Sequence, residues 1–318
     1  MTDGRPIVID TDPGQDDAVA ILAALASPEL DLIGITVVAG NVPVDLTAAN
    51  ARRIVELGGR PELRVFSGCP RPLMRPHIGA EGVHGKSGLG GADLPEPMRP
   101  PEQQHAVPWL IETLLGAPGL VTLCMLGPMT NLAVAIVMEP AILPKIGEIA
   151  AMGGSCLAGG NITPAAEFNI FADPHAAAIV FGCGRPLTLM PLDVTHQVLA
   201  TPSRLAAFAG TGSHAGRVIA RMLEHAARTE RRGRAGRPLH DACVIAYLLR
   251  PDLFRGREVA VAVETVSETM LGATVADWWG VTGRPPNCRV MTEADADGVF
   301  ALLAERLARL PAETGRSA

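Results

Sequence analysis

Four carboxylates fall within eight residues near the N-terminus: Asp10, Asp12, Asp16 and Asp17, with Asp12-Pro13-Gly14 forming a turn signal between them. Carboxylates this close repel one another unless a cation neutralises them. An all-oxygen donor set suits calcium or magnesium rather than zinc. The plainer alternative explains only part of the cluster: Asp16 and Asp17 would favour a helix N-terminus through the macrodipole, and Asp10 would be hydrogen-bonded inside the turn. A second polar group, Gly153, Gly154, Asn161, Glu167, Phe168 and Asn169, offers amides and a carboxylate that can clamp sugar hydroxyls, where the alternative is ordinary loop capping by Asn. A third, His240-Asp241, opens a helix and by itself reads as Asp241 capping that helix.

These residues need elements that bring them together. Short β-rich runs at 6–9, 32–38, 63–66, 120–126, 146–152 and 187–190 alternate with helical patterns at 16–26, 44–57, 129–138 and 174–181. That rhythm predicts an α/β fold, a single domain over residues 1–318 with a mainly parallel central sheet flanked by helices. Ligands of such sheets bind beyond the carboxyl ends of the strands, where the first two polar clusters fall. Runs at 258–264 and 269–278 predict an antiparallel hairpin, a small C-terminal extension followed by a helix over 295–310. Connections at 68–101 and 153–169 are long enough to be binding loops, while the arginine-rich segment 228–237 reads as a solvated, mobile loop.

Composition narrows the chemistry. The chain has 318 residues, 48% hydrophobic and 19% charged, too apolar for a solvated disordered polymer. A net charge of −6 supplies no field to hold a nucleic-acid backbone or an anionic membrane, and a single tyrosine gives no base-stacking surface. No apolar run reaches spanning length, which points to a cytoplasmic protein with neither nucleic-acid nor membrane partners. Six scattered cysteines without a CxxC pair predict buried thiols in a reducing compartment. Two motifs fail on inspection. Gly85-Lys86-Ser87 has Ala80 where a phosphate-binding loop needs glycine, and Glu293-Asp295-Asp297-Gly298 has Ala304 where a calcium loop needs glutamate.

The stretches DTDPGQDDAVAI, VVAGN, EGVHGKSGLG, LGPMTNLA, MGGS, AEFNIFADPHAA and LHDACVIAYLL, in this order over residues 7–278, resemble the inosine-uridine-preferring nucleoside hydrolase family. The resemblance implies hydrolysis of a ribonucleoside to ribose and free base. It implies a calcium ion held by Asp12, Asp17, the main-chain carbonyl of Thr130 and Asp241, with one of its waters as nucleophile and Asp12 as general base. It places ribose contacts on Asp16, Asn41, Asn161, Glu167 and Asn169, with Met152 near the sugar and Phe168 in the same binding cluster. It makes His240 the acid toward the leaving base and puts His84 near the nucleobase. A homodimer or homotetramer is also implied. One departure bears on specificity: relatives carry tyrosines before the HD pair, whereas residues 224–239 here contain none and are rich in arginine. Arginine can stack on a base or donate to its carbonyls but cannot give up a proton at neutral pH.

Two rivals are weaker. A haloacid-dehalogenase-like phosphatase also places two aspartates after its first strand, but needs a downstream lysine, and neither Lys86 nor Lys145 precedes a suitable loop. A catalytically silent nucleoside-binding protein on the same scaffold would have lost the base or a metal ligand, and none is lost.

Overall fold

The computed structural model describes residues 4–90, 92–227 and 236–312. Its strands are β1 (Arg5–Thr11), β2 (Leu30–Val37), β3 (Val65–Ser67), β4 (Val121–Met125), β5 (Ile146–Met152), β6 (Leu187–Met190), β7 (Leu199–Ala200), β8 (Arg237–Pro238), β9 (Phe254–Val263), β10 (Thr274–Asp277) and β11 (Cys288–Ala294). Nine of them form one sheet in the order β10-β9-β11-β6-β5-β4-β1-β2-β3, and β7 and β8 make a separate two-stranded ladder. From β3 across to β11 the neighbours run parallel. The central strands read as continuous apolar runs because both faces are covered. Successive side chains alternate between two cores: Ile7 and Ile9 pack on one face and Val8 on the other, and Cys124 lies opposite Leu123 and Met125. Helices Gln15–Leu25, Val44–Leu57, Ala242–Leu249 and Ala296–Ala308 cover the first face; Ala106–Gly116, Thr130–Met138 and Pro174–Phe181 cover the second.

The strand order sets the position of the site. The chain winds outward from β1 through β2 to β3 on one side, and from β4 through β5 to β6 on the other. The connections leaving β1 and β4 therefore diverge, and a crevice opens at their carboxyl ends. Asp12 follows β1 there, and Leu126 follows β4.

The C-terminal region carries one strand beyond the sequence expectation. The β9–β10 hairpin is antiparallel as expected. β11 inserts between β9 and β6, antiparallel to the former and parallel to the latter, so the hairpin continues the main sheet. Of the six thiols, all free, Cys124, Cys243 and Cys288 are buried, whereas Cys69, Cys156 and Cys183 are partly exposed. Among the described residues no helix is long and apolar enough to cross a membrane. Most of the arginine-rich segment, 228–235, lies outside the described residues.

Candidate active site

Asp12 sits in a cradle made by two glycines. Its Oδ2 accepts a hydrogen bond of 2.7 Å from the Asn41 backbone N–H, and its carbonyl accepts one of 3.0 Å from Asn41 Nδ2. A Cβ on Gly40 would lie 2.0 Å from Asp12 Oδ2, and one on Gly127 would lie 2.5 Å from Oδ1. The loops after β2 and β4 thus close around the carboxylate only because neither residue has a side chain. Burial, followed by the charges of Asp17 and Asp16, pushes the Asp12 carboxyl well above the ordinary range.

The four N-terminal carboxylates divide by role. Asp10 points away from the cavity: its Oδ2 accepts from Thr36 (2.5 Å) and Asn131 (2.8 Å), tying β1 to β2 and to the helix Thr130–Met138. Burial raises it to about 7. Asp17 accepts from the Thr11 hydroxyl (2.5 Å) and, reaching back over the turn, from the Gly14 N–H (2.8 Å). Asp16, Asp17 and Asp241 bring carboxylate oxygens within 4.8 Å of one another, all buried. Asp241 stands at the N-cap of the helix Ala242–Leu249 yet makes no side-chain capping bond, so its carboxylate serves the cluster instead.

Burial, then the charge of Asp16, lifts Asp17 to about 6, and burial with the charges of Asp16, Asp17 and Asp12 lifts Asp241 well above its ordinary value. Asp16 behaves differently: burial acts to raise it, but His240, His84 and Arg237 hold it below its ordinary value. Three buried carboxylates this close, two of them raised, offer oxygen donors of the kind a hard divalent cation takes.

Asp12, Asp16 and Asp241 border one cavity of about 550 Å³ with Asn41, His84, Leu126, Met152, Asn161, Glu167, Phe168, Asn169, His196, Arg237 and His240. Asn169 Nδ2 donates to the carbonyls of Leu126 (2.8 Å) and Met152 (3.2 Å), bridging the ends of β4 and β5. Its amide is thereby fixed. Glu167 caps the helix Phe168–Ala172 through Oε2, which accepts from Ile170 N (3.3 Å) and also from Gly154 N (2.9 Å). Burial pushes Glu167 up to about 7. Asn161 Oδ1 accepts from Phe168 N at 2.9 Å, so loop capping and cavity lining coincide in one residue. His84 Nδ1 lies 2.9 Å from Gln15 Oε1, and burial drives its pKa down to about 4, which keeps the ring neutral at neutral pH.

The structure brings every expected sugar and base contact to this cavity, but not every expected metal ligand. Thr130 does not line it. Its hydroxyl donates to Asp173 Oδ2 (2.8 Å), and its carbonyl belongs to the first turn of a helix, where helical geometry commits it to residue 134. Leu126, whose main-chain carbonyl accepts from Asn169 Nδ2, does line the cavity. Asp16, expected on the sugar, shares the carboxylate cluster, while Asp12 lies beside it. Leu126 and His196 carried no sequence signal, the first because a carbonyl ligand can sit on any residue type. Arg237 was legible only as one arginine of a loop, and the β7–β8 ladder turns it toward the cavity.

A switch-point cavity lined by aspartates, asparagines, a glutamate and histidines has the groups that cleaving a glycosidic bond of a nucleoside requires. The chain belongs to the inosine-uridine preferring nucleoside hydrolase family, whose sequence pattern matches residues 7–301. It is similar to an uncharacterized protein of Schizosaccharomyces pombe, 46% identical over 96% of this chain and 99% of that one. It is 43% identical to the pyrimidine-specific ribonucleoside hydrolase RihB of Escherichia coli, over 95% of this chain and 96% of the relative. Among solved structures, a purine-preferring ribonucleoside hydrolase from Gardnerella vaginalis superposes with a TM-score of 0.89 at 30% identity, over 96% of this chain and 98% of that one. The protein is thus an enzyme that cleaves N-glycosidic bonds of nucleosides.

Proposed function

We propose that the protein hydrolyses ribonucleosides to ribose and free base with calcium as cofactor, Asp12 as general base toward water and His240 as donor to the departing base. One observation carries this reading: Asp16 and Asp241 of the carboxylate cluster, with Asp12, line the same cavity as Asn41, Asn161, Glu167 and Asn169. Asp12, Asp17 and Asp241 would hold the ion, with Leu126 in place of Thr130 as the residue offering a main-chain oxygen. Calcium, when bound, neutralises the cluster and lowers the pKa of a water. Asp12, cradled and hydrogen-bonded through Oδ2, takes the proton from the attacking water at its carboxylate. Asp16, Asn41, Asn161, Glu167 and Asn169 bind the sugar hydroxyls and hold the anomeric carbon in place, with Met152 and Phe168 against the ring. Anionic oxygens beneath the ring stabilise the oxocarbenium-like transition state.

His84 and Arg237 fall to the base end of the cavity. A preference for pyrimidine nucleosides follows from the similarity to RihB, and Arg237 suits it by donating to base carbonyls. A cytoplasmic homodimer or homotetramer completes the reading. The test is ribose release from uridine, cytidine, inosine, adenosine and 2′-deoxyuridine in the presence of calcium. Uridine and cytidine should lead, and the deoxy analogue should be slower by at least about 10²-fold, because hydroxyl-binding groups would be left buried and unpaired. Equal rates for uridine and 2′-deoxyuridine would overturn the sugar clamp.

A further inference from the structure

His240 is held by a residue that neither its sequence position nor its neighbours suggest. Thr195 closes the short helix Leu192–Thr195, just beyond the carboxyl end of β6, and its Oγ1 lies 2.8 Å from His240 Nδ1. Thr195 is fully buried, and among the described residues this is the one hydrogen bond its side chain makes. The ring of the next residue, His196, stands edge-on to His240, with centroids 5.9 Å apart and an interplanar angle of 61°. His240 borders the cavity, and Nε2 is the ring nitrogen on the side away from buried Thr195.

We infer that Thr195 is a positioning residue for the leaving-group donor, locking the His240 imidazole with Nε2 toward the departing base. This rests on the proposed role of His240 as that donor. A hydroxyl suits the task because it accepts from a protonated Nδ1 and donates to a bare one, so the ring keeps one orientation in both states. In the donating state the imidazolium keeps its Nδ1 hydrogen on Thr195 Oγ1. As the glycosidic bond breaks, its electron pair passes to the base nitrogen, and the Nε2 proton passes to the base. The ring is left neutral.

The prediction is read as the ratio of kcat/KM for uridine, whose base needs a proton to leave, to kcat/KM for a p-nitrophenyl riboside, whose leaving group does not. Thr195→Val keeps the shape and removes the hydroxyl; it should lower the ratio at least about tenfold, part of the 10² to 10⁴ a general acid contributes. Thr195→Ser should keep the wild-type ratio, and Thr195→Ala gives the same comparison if the valine variant folds poorly. In a His240→Ala background, Thr195→Val should change the ratio no further. A wild-type ratio in Thr195→Val, an equal loss on both substrates, or an effect that persists without His240 would overturn the role of Thr195 alone. A wild-type ratio in His240→Ala would overturn the donor reading itself, and the inference with it.

Discussion

Gly40→Ala tests whether the position of Asp12 matters to catalysis, because it displaces that carboxylate without touching its chemistry. The new Cβ would stand 2.0 Å from Asp12 Oδ2, whereas Cβ contacts under 3.0 Å are essentially never seen, so the oxygen must withdraw by about 1 Å. It has little room to do so. Asp12 is buried, Gly127 closes the other side, and the withdrawing oxygen gives up its 2.7 Å bond to Asn41 N. Gly40 has an ordinary backbone conformation, so the cost is steric and falls on Asp12. A displacement of this size in a reacting group costs about 10²-fold in turnover. Overpacking of this kind costs about 1–3 kcal/mol of stability. Initial rates on uridine and urea unfolding measure the two effects separately. Gly116→Ala, at a helix end where a Cβ meets nothing within 4 Å, is the control and should leave the rate unchanged. Wild-type turnover in a folded Gly40→Ala protein would refute the reasoning, since it would show that the Asp12 carboxylate is free to move without consequence.

Metal and pH should act together on stability. In the chelated protein Asp10 and Glu167 are raised to about 7 and Asp17 to about 6, so the folded state holds protons that the unfolded chain releases near pH 4, and stability falls as pH rises through this window. His84, lowered to about 4, opposes this only up to its unfolded pKa near 6.5. The chelated protein should therefore melt lower at pH 7.5 than at pH 5.5, and calcium should raise the pH 7.5 value more than magnesium does; a rise with pH in the chelated sample would contradict it. Asn169→Ala should slow turnover and weaken ribose binding with base preference unchanged, as judged by kcat and KM on uridine and inosine. A switch of preference would mean the sugar and base ends have been exchanged. Glu167→Ala should do the same and, by removing the cap of the helix Phe168–Ala172, also cost about 0.5–2 kcal/mol in denaturant titration.

The alternating apolar runs locate the inner strands and helices because each is nearly self-contained. Ile146–Met152, Val44–Leu57 and Pro174–Phe181 have the bounds their patterns indicate, the last with Pro174 at its first turn and Asp173 as its cap. β11 was not legible. Its place between β9 and β6 depends on pairing with strands far away in the chain, which no local pattern records. The helices Ala106–Gly116, Pro202–Ala209 and His214–Ala227 lie in stretches to which the strand and helix patterns assigned no element. At the site, spacing marked the carboxylates but not their division, because what separates Asp10 from Asp12 is Thr36 and Asn131 on one side and the two glycines on the other. The hydrogen bond between Thr195 and His240 joins residues 45 apart, which no local pattern records.

The most direct measurement is ribose release from uridine by the wild-type enzyme and by Asp12→Asn, both loaded with calcium and both shown to be folded. The wild type should release ribose and uracil in equal amounts, and the variant should be slower by about 10² to 10⁴, the worth of the proton acceptor, on uridine and on a p-nitrophenyl riboside alike. An Asp12→Asn protein that turns over either substrate at the wild-type rate would show that the proton leaves the water by another group.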